Sequence, residues 1–343
     1  MSKEKVTIQQ IADSLGLSRN TVSKALNGNE SIPQETRNKV IKRAIEYNYK
    51  QFAYVDSDGY QTKNPGIIAL LTSDMPRNSH FGSSLLSCLE KKISSEGFNL
   101  SIHIVRETEL ESLKLPANFD KAKVDGIVCI ELFNRKYSEF IDSLGIPAIL
   151  IDASAELFYP ELNTDVLLME NEYSTFCMTK KIIDQGSKTL GFVGDYMHCK
   201  SFHERWVGFN LALKTSGIKP DDSYSITEAD RLIADFKWLE QRIHEIEALP
   251  DALVCANDFI AINVMRILKT KNLRIPENIK ICGFDDSPES MIVEPYLTTV
   301  RIYRDEMGIQ AAEILLARLQ NPSKPPQITH VKTVPVFRDS TSN

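Results

Sequence analysis

Apolar positions in the first fifty residues come in short bursts at helical spacing. Ile8, Ile11, Ala12 and Leu15 share one helical face. Thr7-Ile8-Gln9-Gln10 has the form of a capping box, in which the Thr hydroxyl takes a backbone N–H and Gln10 reaches back. Gly16 suits the left-handed backbone of a helix stop. Ser18 then caps a second helix over about 19–26, with Val22, Ala25 and Leu26 inward and Arg19, Asn20, Ser23 and Lys24 mostly outward. Asn27-Gly28-Asn29 ends it. Pro33 opens a third helix, which turns Val40, Ile41, Ala44 and Ile45 inward and Arg37, Lys39, Lys42 and Arg43 outward. Three short helices predict a small all-α head, and the first two, separated by a Gly-containing turn, predict a helix-turn-helix.

Beyond "KQFAYVDSDGYQTKNPG" the period changes. "GIIALLT", "NLSIHIV", "GIVCI", "IPAILID", "TLGFVGD", "DALVCA" and "IKICGF" read as strands. "SLLSCLEKKISSEG", "TFCMTKKIIDQG", "RWVGFNLALKTSG" and "AINVMRILKTKN" between them read as amphipathic helices. Repeated strand-helix alternation predicts an α/β body of parallel sheets covered by helices. Its length exceeds what one such sheet needs, so two lobes are expected, with a ligand cleft at the carboxyl ends of the strands.

Charge separates the two parts. The chain carries 40 Lys and Arg against 46 Asp and Glu, a net charge of −6. Residues 1–50 hold nine basic and five acidic side chains, or +4, leaving 31 and 41, or −10, for the remainder. A basic head on an acidic body points to a polyanion partner for the head. Apolar content of 42% supports a sizeable core, no run is long enough to span a membrane, and "MSKEKVTIQQ" lacks a signal-peptide apolar stretch. Six scattered cysteines without a CxxC pair are expected to be buried reduced thiols in a cytoplasmic protein. Six histidines show no metal-ligand spacing, and neither a phosphate-binding Gly loop nor an HExxH pair occurs. No metal, cofactor or catalytic residue is expected. The carboxylates of "EFIDS" and "FDD" lack a nucleophile or metal beside them, and the chain is not expected to be an enzyme.

In a helix-turn-helix the second helix enters the major groove. There Arg19 could take guanine O6 and N7, and Asn20 adenine N6 and N7. Thr7, Ser18 and Thr21 suit phosphate oxygens. Spacing and charge leave open a helical bundle used for protein contacts. "VTIQQIADSLGLSRNTVSKALNG" followed by "IPQETRNKVIKRAIEYNY" resembles the head of the lactose/galactose-repressor (LacI/GalR) family. That resemblance implies that Arg19, Asn20 and Lys24 read bases in double-stranded DNA, with Thr7, Ser18, Thr21, Ser23 and Asn27 near phosphates or in the helix frame.

The body resembles the effector domain of the same family, which shares the fold of periplasmic sugar-binding proteins. The matching pieces are "HERWVGF", "CANDFIAINVMRIL", "ICGFDDSPES…PYLTTV" and Asn171 in "ENEYS". The resemblance implies a head over 1–50, a hinge or linker over 51–65, and an effector-binding and dimerisation domain over 66–343. One lobe is expected from about 66–169 and 290–322, the other from 170–289 and 323–343. Carried over residue by residue, Arg205 clamps the effector, Asp285 accepts its hydroxyls and Asn257 donates and accepts, while Asp152 and Ser73 complete the set. Asp152 has the alternative of capping a turn or helix, Asp286 of supporting its loop, Asn171 of capping a helix near the lobe crossover, and Trp206 of packing. The aromatic platform the family often uses is missing from "ITEADRLIADF", where Asp230 and Arg231 align. Phe236 and Trp238 fall on the following helix, and Ile302 and Arg304 stand where pocket contacts occur. Extra arginines without a platform suggest a charged ligand such as a sugar phosphate. The linker lacks the family's Pro-Asn and Leu; Phe52, Tyr54 or Val55 could serve as a minor-groove wedge, or the segment could be a tether. The function implied is a homodimeric repressor on a palindromic operator, controlled by a sugar or sugar phosphate. A corepressor- or partner-dependent regulator, or a metabolite-binding protein with a vestigial head, is the alternative.

Overall fold

The computed structural model describes residues 6–26, 32–47, 49, 66–73, 80–156 and 162–342. The linker 51–65 with its wedge candidates, and Asn27, lie outside the described residues. The chain divides into two compact units, Met1–Gly66 with Ile93–Asn99, and Ile67–Lys92 with Leu100–Asn343.

The head consists of α1 (Ile8–Leu15), α2 (Arg19–Leu26) and α3 (Gln34–Glu46). The capping box forms: the Thr7 hydroxyl accepts the Gln10 N–H at 3.3 Å, and the Thr7 N–H donates to Gln10 Oε1 at 2.7 Å. Gly16 stops α1 at φ 63°, and Ser18 Oγ accepts the Thr21 N–H at 3.0 Å to start α2. Ile11, Ala12, Val22, Ala25, Val40 and Ala44 form the core, edged by Ile8, Leu15 and Leu26. Ile41 and Ile45, expected inward, are only half-buried and stand outside that cluster. The seam of α3 runs through Val40 and Ala44, and the next residue on a helix points about 100° away.

In the second unit the first sheet collects β1 (Ile67–Thr72), β2 (Asn99–Ile104), β3 (Gly126–Ile130), β4 (Ala148–Ile151), β5 (Asp165–Met169) and β10 (Ile328–Val331), in the order β10-β5-β4-β3-β1-β2. The β1–β3, β3–β4, β4–β5 and β5–β10 pairs are parallel. The helices α4 (His80–Ser95), α5 (Glu107–Ser112) and α6 (Arg135–Ser143) connect them. The second sheet is β6 (Leu190–Val193), β7 (Ala252–Cys255) and β8 (Lys280–Cys282), again parallel, with α7 (Glu172–Asp184), α8 (Lys200–Thr215), α9 (Asp230–Ile233), α10 (Phe236–His244) and α11 (Asp258–Thr270) in the same part of the chain. Every residue of β3, β4, β5, β6 and β7 is buried, as continuous apolar strands covered on both faces require. The helices pack closely enough that a Cβ on Gly208 of α8 would meet the Glu172 carbonyl oxygen at 2.2 Å.

The chain passes between the two sheets three times. It leaves the first after β5. It stays with the second through Thr298, which bridges in parallel to Cys282, and β9 (Thr299–Arg301), whose Arg301 bridges to Asp285. It returns as α12 (Arg304–Gln320), which packs on β3, β4 and β5 and is tied there by Arg318 to Asp165 at 2.7 and 2.9 Å. After β10 it crosses again into β11 (Val334–Val336), antiparallel to β9. The crossings therefore fall at 302–303 and 332–333, where about 290 and 322 were expected. Which sheet a short strand joins depends on a partner far along the chain, and "LTTV" and "HVKTV" carry no local sign of it.

All six cysteines are free, with Cys129, Cys199, Cys255 and Cys282 buried. No helix among the described residues is long and apolar enough to cross a membrane, and none of their His, Cys, Asp and Glu groups is arranged to hold a metal ion.

Candidate ligand cleft and nucleic-acid interface

The beginning of α2 presents polar groups. Ser18, Arg19, Asn20 and Lys24 are exposed, Thr21 and Ser23 half-buried, and Thr7 is exposed at the start of α1. Neither Arg19 nor Lys24 forms an ion pair among the described residues, so both cations are available to a phosphate or a base edge. The hydroxyls of Ser18 and Thr21 lie 2.8 Å apart and serve the helix start. These positions follow from the alternation that sends Val22 and Ala25 into the core. One face of a short helix is used for packing and the other is left free.

In the second unit a cavity of about 360 Å³ is lined from separate stretches of chain. Ser73 follows β1, Asp152 follows β4, Arg205 lies in α8, Asn257 caps α11 and Asp285 follows β8; all five line it. These elements place them at the carboxyl ends of parallel strands, where backbone and side chains converge on open space.

Arg205 is 3% exposed. Its Nε donates to Asn171 Oδ1 at 2.9 Å, Nη1 to the Ala256 carbonyl at 2.7 Å and Nη2 to Met169 Sδ at 3.1 Å. Its Cζ stands 3.7 Å from the Phe284 ring centroid and 5.5 Å from that of Phe202. A guanidinium so held keeps its remaining N–H groups in fixed directions.

Asp285 has no hydrogen-bond donor on its carboxylate among the described residues, and Arg205 Nη2 is 3.8 Å away. Burial pushes its pKa up, while Arg205 and Arg304 pull it down. Its φ of 124° is held by its own N–H to the Val300 carbonyl at 2.9 Å and by Arg304 on its carbonyl. Asn257 uses its Oδ1 on the Ile260 N–H at 2.9 Å, and its amide N–H groups have no partner among the described residues. Asp152, at φ 62°, accepts from the Ala153 N–H at 2.8 Å and, across the cleft, from the Ser201 N–H at 3.2 Å. It thus caps the start of α8 while lining the cavity. Burial raises its pKa against those N–H groups and Arg205. Ser73 donates to the Glu131 carbonyl at 2.8 Å.

The other assigned residues separate cleanly. Asp286 turns away to Arg301 at 2.6 Å and to Arg338, which fixes the loop. Trp206 stacks on Tyr196 with centroids 4.5 Å apart and does not line the cavity. Asn171 stands at the start of α7, yet its side chain caps nothing there and holds Arg205 instead. In "EFIDS", Glu139 pairs with Arg135, and Asp142 accepts from Asn163 and Thr164.

The picture of an arginine-rich pocket without aromatic walls is corrected. Arg231, Ile302 and Arg304 do not line the cavity, and Ile302 is buried in the core. Phe133 and Phe202 do line it, with His198 between them at centroid distances of 4.9 and 5.5 Å. Asp152 and Asp285 bring two carboxylates against the single guanidinium of Arg205, and Glu131 also lines the cavity. Phe202 stands three residues before Arg205, one helical turn away on the same face, a spacing legible in "SFHERW". Phe133, His198 and Glu131 come from loops and left no such sign.

A recognition helix on a small helical head, and a two-sheet α/β body with a polar cleft, define a ligand-binding DNA-binding regulator. Residues 7–51 match the family described as bacterial regulatory proteins, lacI family, and residues 179–341 match a periplasmic binding protein-like domain. The ribose operon repressor of Haemophilus influenzae is 24% identical over 338 residues, covering 97% of this chain and 98% of that protein. The HTH-type transcriptional repressor PurR of Pasteurella multocida is 25% identical over 338 residues, with the same coverage. A lac repressor dimer bound to operator and the anti-inducer ONPF superposes with a TM-score of 0.71 at 21% identity, over 99% of this chain and 100% of that one. A complex of the regulator CelR with cellobiose gives 0.69 at 23%, over 98% and 100%. The chain thus joins a lacI-family DNA-binding domain to a periplasmic binding protein-like domain, the combination found in these repressor relatives.

Proposed function

We propose that this protein is a cytoplasmic transcriptional repressor whose operator binding is controlled by an unphosphorylated sugar in the cleft of its body. It acts as a homodimer on a palindromic site, because one small head makes few base contacts and two heads held together gain through effective concentration. Arg19, Asn20 and Lys24 read bases, and Thr7, Ser18, Thr21, Ser23 and Asn27 sit near phosphates or frame the helix. Support comes from the relatives, which include a ribose operon repressor and a cellobiose-bound regulator.

The observation that carries the effector reading is the convergence of Ser73, Asp152, Arg205, Asn257 and Asp285 on one cavity. Its volume of about 360 Å³ falls in the range of small-molecule sites. Asp285 offers free acceptors, Asn257 free amide donors and Arg205 two fixed N–H directions, a set that matches hydroxyls. Phe133 and Phe202 add apolar walls for a ring face. The carboxylates of Asp152 and Asp285 disfavour a phosphate, which only accepts hydrogen bonds and adds negative charge.

Calorimetry on the full chain with ribose, glucose, cellobiose and their phosphate esters tests this. A neutral sugar is expected to bind, its phosphate to bind more weakly, and Arg205→Ala to abolish binding while leaving affinity for operator-containing DNA intact. Preference for the phosphate esters refutes the charge argument. Absence of binding to every sugar, with or without phosphate, refutes the effector class.

A further inference from the structure

Behind the cleft an arginine, an amide and a carboxylate stand in a row. Arg205 Nε donates to Asn171 Oδ1 at 2.9 Å, and Asn171 is 1% exposed. Asn171 Nδ2 donates to the Met169 carbonyl at 2.7 Å and to Glu204 Oε2 at 3.0 Å. A guanidinium can only donate and a carboxylate can only accept, so the amide between them has a single satisfactory orientation. The other oxygen of Glu204, Oε1, lies 3.7 Å from His330 Nε2. His330 is on β10, the edge strand of the first sheet, whereas Glu204 is on α8 beside the second. Glu204 does not line the cavity, and its side chain is 16% exposed. One carboxylate therefore touches both the amide that sets the arginine and a histidine on the other sheet.

We propose that Glu204 is a positioning residue that fixes Arg205 through Asn171 and makes the set of that arginine depend on the charge of His330. The functional weight of this rests on reading Arg205 as the effector contact. The charged groups facing His330 are Glu204 and Lys200 from α8 and Glu170 from the crossover after β5. The two carboxylates, Glu204 foremost, favour the imidazolium; burial and Lys200 oppose it, and the balance lies above the ordinary histidine value of 6.5. When His330 is charged, Glu204 is shared between the imidazolium and Asn171. When it is neutral, Asn171 alone faces the full carboxylate charge. Without the carboxylate, Asn171 Nδ2 keeps only the Met169 carbonyl and a looser contact of 3.4 Å to the Ser201 hydroxyl.

The test needs no effector. The full chain is labelled with 15N-arginine, and the Arg205 Nε–H signal is identified by its loss in Arg205→Lys. Glu204→Leu is expected to speed exchange of that proton with water on the order of tenfold, the factor for one lost charge-assisted hydrogen bond. Glu204→Gln keeps an acceptor for Asn171 and restores slow exchange, but its Arg205 signal no longer follows pH through the His330 titration. His330→Gln loses the same pH profile. Unchanged exchange in Glu204→Leu, or a wild-type pH profile in both Gln variants, overturns the proposal. Should Glu204→Leu fail to fold, the pH profiles of the two Gln variants decide. A sugar that fails to bind leaves these signals as they are, so the effector reading and this one fail separately.

Discussion

Asp258 gives the cleft a pH-dependent foundation. It follows Asn257 at the start of α11 and is 1% exposed. Its Oδ1 accepts the Thr299 hydroxyl at 2.6 Å and its Oδ2 the Ser287 N–H at 2.8 Å, which pins the loop carrying Asp285. Burial, and then the neighbouring Asp285, push its pKa from 3.8 up to about 7. The folded protein thus holds a proton that the unfolded chain releases, and stability falls as pH rises from 3.8 towards 7, then levels off. The full difference of about three pH units corresponds to about 4 kcal/mol, of which about 2–3 kcal/mol lies between pH 5 and 8. Against a typical total of about 5–15 kcal/mol this is a large share. Urea titrations of the full chain at pH 5, 6, 7 and 8 read it directly. Asp258→Asn keeps the acceptor for Thr299 and loses the one for Ser287, a cost constant with pH. The variant is therefore expected to show a decline from pH 5 to 8 smaller than wild type by about 2–3 kcal/mol. Parallel stability curves for the two proteins would show that Asp258 does not titrate in this range and would refute the reasoning.

Arg318→Met leaves Asp165 buried without its cation, and a loss of about 3–5 kcal/mol in urea stability is expected; a loss below about 1 kcal/mol would mean the pair contributes little. Gly208→Ala drives a methyl into the Glu172 carbonyl and is expected to cost about 1–3 kcal/mol, seen as a lower melting temperature, whereas an unchanged melt refutes the close packing of α7 on α8. On the head, Arg19→Ala and Lys24→Ala are each expected to relax base preference at one position by about 1–3 kcal/mol, whereas Thr21→Ala weakens binding to all sequences alike. Fluorescence anisotropy with a set of single-base operator variants separates these outcomes, and an equal loss across all sequences for Arg19→Ala or Lys24→Ala counts against the base-reading roles.

How much of this is legible in the sequence depends on how local the cause is. Thr7 with Gln10, Gly16 and Ser18 act on neighbours within four residues, and the helices start and stop where those residues say. The continuous apolar strands are legible for the same reason. Asp152, Asn257 and Asp285 reach the cleft because each sits just past a strand, Arg205 because it lies on the second turn of α8, and the family motifs point to them. Phe133 and His198 do not show in advance, because what brings their rings within 4.9 Å is the packing of two sheets. Asn171 looks like a helix cap by position, and only the three-dimensional approach of α8 reveals that its amide faces Arg205. Arg231 and Arg304 look available to a ligand because a charge in a sequence carries no direction; in the fold Arg304 is bound to the Asp285 carbonyl.

The threefold passage between the sheets bears on how the body is made. β10 joins a neighbour more than 150 residues upstream, and β11 closes against β9 only after that. During synthesis the first sheet would lack its β10 edge until residue 331 has emerged, and β9 would lack its antiparallel partner until residue 336 has. A nonsense mutation just ahead of β11 should therefore not yield a harmlessly shortened repressor. It should leave β9 without its antiparallel partner, an uncovered strand prone to associate with other chains and to mark the body for degradation.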